Sequence, residues 1–307
     1  MQYKIQEKDI GLRLSEILKK RLGISSRLIS KLKRTDGIFN NGQSVYVSTY
    51  PKEGDVISVV LPSENSYFEP EDIPIQTVYE DEDLLIIDKQ PGIVVHPTKG
   101  HPTGTIANGL VHDMNKKQDV YKIRFINRLD RDTSGLLIIG KSAFAQEALS
   151  TQMKENTVVK KYIAILEGRI EEEEGTINKP IKKEEGDIVR IIAPDGQESI
   201  TKYKVLKRLA EYTVAEITLL TGRTHQIRVH MASIGHPVVG DTLYGIKGNE
   251  DIGRQALHAR YLSFIHPMKK TRMEIVAEIP EDMLKLAQFA IQIDGDLMHR
   301  NLQIKDL

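Results

Sequence analysis

Residues 127–141 read NRLDRDTSGLLIIGK, a polar turn that leads directly into an apolar strand. The run LLIIG at 136–140 predicts a buried strand, and the letters DTSG before it predict a turn. Asp130 stands at the start of this turn, between Arg128 and Arg131. A carboxylate held at a strand end beside guanidinium groups is expected to stay ionised and fixed in place. Taken alone, the same aspartate is also typical of a local hydrogen-bonding residue in a turn.

Short apolar runs of similar character lie on both sides of this segment. They read LLIID at 84–88, YIAIL at 162–166, TKYKVLKRL at 201–209 and TVAEITLL at 213–220. Runs of this length, rich in Ile, Leu and Val and bounded by turn residues, predict β-strands. Helical spacing is found at residues 142–153 and 225–234. The stretch 76–290 is therefore predicted to form one domain of short strands with a few helices.

The first 62 residues form a separate, basic region. They hold 11 Lys and Arg against 6 Asp and Glu, although the formal net charge of the whole chain is +0. Apolar residues at helical spacing predict two helices, and Ser25 or Ser26 can cap the second one. Arg27, Lys31 and Arg34 share the outer face of that helix, because they are four and three residues apart. A basic surface of this kind suits the phosphates of a nucleic acid.

Two polar segments flank the domain of residues 76–290. Residues 63–75 are acidic, contain two prolines and predict a linker, and residues 291–307 form a polar tail. The chain contains no cysteine, which excludes a disulfide framework, a thiolate zinc site and a cysteine nucleophile. No apolar stretch has the length of a membrane span and the first residues are polar, so the cytoplasm is the expected compartment.

Three further segments carry polar residues that folding alone does not demand. The loop 88–104, which contains His96, follows a predicted buried strand, and such loops are typical places for function. Tyr162 offers a flat ring that suits stacking on a nucleobase, although a half-buried core tyrosine would look the same. In segment 221–245 a strand leads through a glycine turn into a helix. Arg223 is therefore expected at the positive helix end, where an anion binds well.

The sequence predicts neither a metal ion nor a cofactor. His225 and His230 are five residues apart, so they do not share a helix face as a pair of metal ligands would. The glycines of segment 221–245 match neither a phosphate loop nor a dinucleotide fingerprint.

Taken in order, these segments resemble the RluA-type pseudouridine synthases. The matching stretches are LLIIDKQPGIVVHP, RLDRDTSGLLIIGK, KKYIAILEG, TGRTHQIRVHMASIGHPVVGD and LHARYLSFIHP, which run through most of residues 78–270. The first domain resembles a small RNA-binding fold of the S-four type, named for a ribosomal protein. The resemblance implies an α+β protein: a catalytic domain built on a mixed, mainly antiparallel sheet with flanking helices, plus a small α+β RNA-binding domain.

The resemblance also implies roles for single residues. Asp130 would be the essential carboxylate, Tyr162 would pack on the target base, and Arg223 would form an ion pair with Asp130. RNA would be bound by Arg27, Lys31, Lys33, Arg34, Arg128 and His96. The chain departs from the family at Asn127, where a histidine often precedes Arg-Leu-Asp. That position is neither nucleophile nor base, so activity is expected to survive, whereas the exact target site cannot be transferred.

The implied reaction isomerises uridine to pseudouridine within RNA, and it needs no metal or redox cofactor. The bond from ribose to the ring nitrogen breaks, the uracil turns, and a carbon–carbon bond forms. Asp130 acts either as a covalent nucleophile or as a base, and the residues do not choose between these roles. The expected substrate is large-subunit rRNA, with tRNA as an alternative, and the protein is expected to be a monomer.

Two other interpretations use the same residues differently. A non-catalytic RNA-binding or ribosome-assembly protein would need the first domain and could ignore Asp130. A glycoside or nucleoside hydrolase would break the same type of bond, but it usually needs two carboxylates at its site. Asp132 and Asp241 are the candidates for the second carboxylate, and the flanking arginines do not favour a carboxylic acid that stays protonated.

Overall fold

The computed structural model describes residues 1–62, 64–98, 100–246 and 252–287, so the predicted tail 291–307 lies outside the described residues. Residues 1–62 build a small α+β domain with a four-stranded sheet in the order β1-β4-β2-β3. Its elements are β1 (Gln2–Lys4), α1 (Leu14–Lys20), α2 (Ser26–Arg34), β2 (Ile38–Asn40), β3 (Gln43–Ser44) and β4 (Val56–Val59).

The two helices of the small domain bury the faces that their spacing predicts. Leu14, Ile17 and Leu18 of α1 are buried together with Leu28 and the other apolar residues of α2. Of the two predicted capping serines, Ser25 is the cap of α2, since its side chain accepts a hydrogen bond of 3.1 Å from the backbone nitrogen of Leu28. The cap satisfies one of the free amides at the start of the helix.

The remaining described residues form a second, larger α+β unit. Its strands are β5 (Gln76–Glu80), β6 (Leu84–Lys89), β7 (Arg124–Phe125), β8 (Ser134–Gly140), β9 (Val159–Glu167), β10 (Glu174–Asn178), β11 (Ile181–Lys183), β12 (Arg190–Ile192), β13 (Ile200–Arg208), β14 (Tyr212–Leu219), β15 (Leu257–Ile265) and β16 (Arg272–Val276). Its helices are α3 (Ile106–Lys117), α4 (Ala143–Lys154), α5 (Gln226–Ala232) and α6 (Glu281–Leu286). Across the described ranges, no helix is long and apolar enough to span a bilayer.

Most of these strands join one long sheet, in the order β10-β13-β14-β9-β15-β8-β6-β5, with β16 added to β15 and β7 added to β8. β11 and β12 form a separate two-stranded ribbon. Every described pairing in the long sheet is antiparallel except that of β15 with β8. The predicted fold class, a mixed and mainly antiparallel sheet with flanking helices plus a small α+β domain, is confirmed. The five predicted strands and both predicted helices of residues 76–290 lie where the pattern placed them, within a few residues.

The parallel pair of β8 and β15 is a seam between two antiparallel halves of the sheet. Backbones approach closely here: a Cβ at Gly135 would lie 2.3 Å from the carbonyl oxygen of Ala259, and the residue has a φ of +111°. Glycine is therefore required where β8 enters the seam. The side chains of Ser134 and His258 meet across the seam, where Oγ of Ser134 and Nδ1 of His258 share a hydrogen bond of 3.0 Å.

The predicted linker, residues 63–75, contains no helix or strand among its described residues, yet it lies against the larger unit. Phe68 packs on the large apolar core, and Ser66 accepts a 2.8 Å hydrogen bond from the backbone nitrogen of Ile123. The small domain is held nearby, because Phe144 of α4 is buried in the apolar cluster of residues 1–62. The segment therefore follows the surface of the larger unit along its described length.

Candidate active site

A cleft of about 1040 Å³ opens across the seam of the long sheet. The turn before β8, the strand β9 and the start of α5 supply much of its wall. Five of the residues that the sequence singled out line this cleft, namely His96, Arg128, Asp130, Tyr162 and Arg223. The four basic residues predicted on α2 are not part of its lining. The structure thus brings together the candidates from residues 76–290 and keeps those of the small domain apart.

The backbone around Asp130 is held by Asn127 and by the turn that follows. The side-chain amide of Asn127 donates to the carbonyl oxygen of Leu136 at 3.1 Å, and its oxygen accepts from the nitrogen of Ile138 at 2.8 Å. The nitrogen of Thr133 donates to the carbonyl oxygen of Asp130 at 3.2 Å. Asn127 therefore tethers the segment to β8, which is a structural role at the edge of the cleft.

Lys89 joins the loop after β6 to the loop that carries Asp130. Its side chain is fully buried, and its ammonium group donates to the carbonyl oxygens of Gln90, Ile93 and Arg131 at 2.8, 2.9 and 2.8 Å. Burial lowers the pKa of Lys89 to about 8, while nearby acidic groups oppose that shift. Three carbonyl acceptors use all three ammonium protons, so Lys89 cross-links two cleft loops.

The predicted ion pair between Arg223 and Asp130 is wrong. Arg223 is exposed, and its Nε donates to the backbone oxygen of Glu198 at 3.1 Å. The guanidinium group that binds Asp130 belongs to Arg228, whose Nη1 lies 3.1 Å from Oδ2 of Asp130. The reason is where the helix begins. α5 starts at Gln226, so Arg223 belongs to the preceding turn, whereas Arg228 lies in the first turn of the helix, against the seam.

Arg228 is itself held by a second carboxylate, that of Asp241. Nε and Nη2 of Arg228 donate to Oδ2 and Oδ1 of Asp241 at 2.6 and 2.8 Å. Burial alone would raise the pKa of Asp241, but the hydrogen bonds and charge of Arg228 outweigh burial and lower it. Burial would also lower the pKa of Arg228, and the two carboxylates reverse that shift. Both groups are therefore charged, and this fork geometry fixes the plane of the guanidinium group.

Tyr162 lies on β9 in the wall of the cleft and is 8% exposed. Burial raises its pKa, and the negative charge of Asp130 raises it further. The phenol is therefore neutral at physiological pH. Its position suits a flat contact with a base that enters the cleft.

His225 lies at the start of α5 in the left-handed backbone conformation, with a φ of 56°. Its Nε2 is 4.0 Å from Oδ2 of Asp130, and its Nδ1 is 2.9 Å from the hydroxyl oxygen of Tyr244. Burial lowers the pKa of His225, although the charge of Asp130 acts in the opposite direction. A lowered pKa leaves the imidazole mainly neutral at physiological pH. With Tyr162, it is one of two rings near the Asp130 carboxylate.

The residues predicted to bind RNA lie in two places. At the cleft, Arg128 is exposed and donates to the hydroxyl group of Thr224 at 3.1 Å, and His96 is exposed beside the ring of Phe125. On the small domain, three of the predicted basic residues of α2 are exposed: Arg27, Lys33 and Arg34.

Lys31, the fourth basic residue predicted on α2, has a different environment. Its ammonium group forms a 2.8 Å ion pair with Glu64, and Glu64 also pairs with Arg124 of β7. Its charge is thus partly neutralised at the junction with the larger unit.

Sequence reasoning assigned no catalytic or binding role to Arg228, Lys89, His225 and Tyr244, and Asp241 was named only as a possible second carboxylate of a hydrolase. A signal for Arg228 was present, since it stands between Ile227 and Val229 and a charge within an apolar run needs a buried partner. The partner could not be read from spacing, because Asp130 is 98 residues away in the chain.

Within the described ranges, one group of side chains has the proximity expected of metal ligands, and it lies outside the cleft. It consists of Asp81, Asp83 and His266. Nδ1 of His266 accepts from the backbone nitrogens of Met268 and Lys269 at 3.2 and 3.0 Å, and its Nε2 is 2.9 Å from Asp81. Lys269 also pairs with Asp81 at 2.9 Å. Both ring nitrogens are in use, so this group is an ion-pair cluster in the described structure.

Comparison with known proteins agrees with this geometry. Residues 83–233, which include the turn of Asp130 and the helix α5, match the family model for RNA pseudouridylate synthase. An uncharacterized RNA pseudouridine synthase of Bacillus subtilis, YjbO, is 42% identical over 269 residues, which cover 86% of this chain and 95% of the relative. Ribosomal large subunit pseudouridine synthase D of Escherichia coli K12 is 35% identical over 306 residues, covering 92% of each chain.

A solved structure supports the same assignment. Human RNA pseudouridylate synthase domain containing 1 superposes with a TM-score of 0.57 at 28% identity, covering 70% of this chain and 86% of that chain. The family model and these relatives define an RNA-modifying isomerase. The chain belongs to the RNA pseudouridine synthase family.

Proposed function

We propose that this protein isomerises uridine to pseudouridine in large-subunit ribosomal RNA, with Asp130 as the reacting carboxylate. The observation that carries the proposal is the 3.1 Å contact between Asp130 and the buried Arg228 at a cleft lined by Tyr162. A guanidinium group in that position fixes the orientation of the carboxylate toward a substrate. The name of the Escherichia coli relative supports ribosomal RNA as the substrate class.

The reaction needs a base that has left its stack, because a paired uridine cannot reach the bottom of a cleft. Extrusion costs a few kcal/mol, and stacking on an aromatic side chain returns about 1–3 kcal/mol per base. Tyr162 offers the aromatic surface, and its raised pKa makes it a neutral packing group and not a base. Its role is therefore to hold the uracil ring while the glycosidic bond breaks and the carbon–carbon bond forms.

Asp130 then acts on the bound nucleotide, either by covalent attack or by taking a proton. Its side chain is 26% exposed, so a ligand in the cleft can reach the oxygen that Arg228 does not occupy. Arg128 stands next to it on the exposed rim, where a cation can contact phosphates of the surrounding RNA. No atoms are gained or lost in the reaction, and these side chains supply charge and orientation at the reacting nucleotide.

The test is a single-turnover assay on ribosomal RNA and tRNA from a strain that lacks the gene, with pseudouridine mapped at nucleotide resolution. Asp130→Asn is expected to reduce the rate by about 10²–10⁴-fold, the range of a positioned acid or base. Asp132→Asn is the matched control, because Asp132 is paired with the exposed Arg131. Its rate should stay close to that of the wild type.

Four outcomes would contradict all or part of the proposal. Equal yields from the wild type and Asp130→Asn would remove Asp130 from the chemistry. No pseudouridine from the wild type would favour a non-catalytic RNA-binding protein, and free uracil among the products would favour a hydrolase. Modification confined to tRNA would leave the reaction in place and overturn the substrate class.

A further inference from the structure

One residue outside the cleft lining, Tyr244, contacts several groups that surround Asp130. Its ring centroid is 5.2 Å from Cζ of Arg228, and its backbone nitrogen donates to Oδ1 of Asp241 at 3.1 Å. Its hydroxyl oxygen is 2.9 Å from Nδ1 of His225 and accepts a 2.7 Å hydrogen bond from the backbone nitrogen of Arg190. Tyr244 is thus in contact with both side chains that approach the Asp130 carboxylate.

Whether Nδ1 of His225 donates to or accepts from Tyr244 depends on the tautomer of His225, and the second hydrogen bond of Tyr244 bears on that choice. The backbone nitrogen of Arg190 can only donate, so the oxygen of Tyr244 is an acceptor in that bond. The phenol proton of Tyr244 is then available for Nδ1 of His225. Burial raises the pKa of Tyr244, so that proton is retained at physiological pH. If Nδ1 accepts, a neutral imidazole must carry its own proton on Nε2, the nitrogen that faces Asp130.

We propose that Tyr244 is a positioning residue that holds His225 in the Nε2–H tautomer and braces Arg228, so that Asp130 is met by two hydrogen-bond donors. This inference rests on the function proposed above. In the free protein Nε2 is 4.0 Å from Asp130, longer than a hydrogen bond, and closure to about 3 Å is expected when substrate fills the cleft. The left-handed backbone of His225 supports the idea, because side chains are held in that conformation at functional sites more often than elsewhere.

Two measurements test the proposal. The first is the ¹⁵N NMR spectrum of the His225 imidazole, assigned by its loss in His225→Gln, which reports the tautomer without any substrate. The wild type is expected to show a protonated Nε2, and Tyr244→Phe is expected to lose this preference. The second is the rate of pseudouridine formation. Tyr244→Phe should lower kcat by about ten- to a hundredfold, because Nε2 of His225 then no longer donates to the Asp130 carboxylate, and it should leave KM nearly unchanged.

A double-mutant comparison shows whether Tyr244 acts through His225. In the His225→Gln background, Tyr244→Phe should change kcat by less than about twofold, since its target is already gone. Tyr67→Phe is the control, because Tyr67 is 92% exposed and loses the same hydroxyl group. A wild-type imidazole protonated on Nδ1, an unchanged rate in Tyr244→Phe, or additive effects would each overturn the proposal. If the wild type forms no pseudouridine, the proposed function fails, while the NMR result still decides the tautomer.

Discussion

Arginine side chains have opposite environments on two helices, α5 at the cleft and α2 on the small domain. Arg228 of α5 has a side chain only 6% exposed and is bound by two carboxylates. Arg27 and Arg34 of α2 are exposed to solvent. A buried cation with fixed partners defines geometry, and its loss leaves uncompensated charge. An exposed cation contributes long-range attraction to phosphates, which salt weakens.

This contrast separates chemistry from affinity. Substitutions at the cleft should change the rate of the reacting complex and the stability of the fold together, because the same hydrogen bonds serve both. Substitutions on α2 should change how tightly RNA binds and leave the fold almost unaffected.

The largest effect is expected for Arg228→Met, compared with Arg223→Met in the same segment. Arg228→Met leaves Asp241 buried without its partner, which costs about 3–5 kcal/mol of unfolding free energy. It should also lower the single-turnover rate by about 10²–10³-fold, because Asp130 loses its fixed cation. Urea denaturation and the RNA assay measure the two effects. A rate loss in Arg223→Met as large as in Arg228→Met would restore Arg223 as the partner of Asp130.

An intermediate effect is expected at Tyr162, where shape matters more than the hydroxyl group. Tyr162→Phe keeps the ring and should leave the rate within about tenfold of wild type, since one neutral hydrogen bond at most is lost. Tyr162→Leu removes the ring and should weaken formation of the reactive complex by about 1–3 kcal/mol. The ratio kcat/KM on a short RNA substrate distinguishes the two variants. If Phe is as damaging as Leu, the phenol takes part in the chemistry and the packing role is wrong.

The smallest effects are expected on α2, and there they should differ between neighbours. Arg27→Ala should weaken RNA binding and reduce the slope of log K against log salt by about 0.7–0.9, the value of one phosphate contact. Lys31→Ala should change that slope less, because Glu64 already pairs with Lys31 at 2.8 Å. Its cost in unfolding free energy should be about 0–1 kcal/mol, typical of an exposed pair. Filter binding at several salt concentrations checks both, and a flat response in Arg27→Ala would exclude α2 from the RNA interface.

Local patterns were enough to predict five of the twelve described strands of the larger unit, two of its four described helices and the turn beside Asp130. The runs at 84–88 and 162–166 form strands because their own apolar residues fill the core, and this information lies within each run. The acidic, proline-containing segment 63–75 was likewise predicted to be a linker. Its packing on the core through Phe68 was not predicted.

Partners could not be predicted in the same way. Segment 221–245 contains two arginines, Arg223 and Arg228, and either could pair with Asp130 until the first residue of α5 is known. A difference of a few residues at a helix start decides which guanidinium group lies against the seam. Asp241 joins Arg228 through a turn whose geometry no residue pattern specifies. The resemblance correctly indicated that an arginine serves the carboxylate, and tertiary packing decided which one.

The seam between β8 and β15 also sets an order of events during synthesis. β8 ends at Gly140 and β15 ends at Ile265, so their pairing closes a loop of well over one hundred residues and forms late in folding. Asp130 lies just before β8, whereas Arg228 lies on α5, which precedes β15 in the chain. A nascent chain therefore exposes the basic α2 to its surroundings first, and the seam beside Asp130 can be completed only after β15 has emerged from the ribosome.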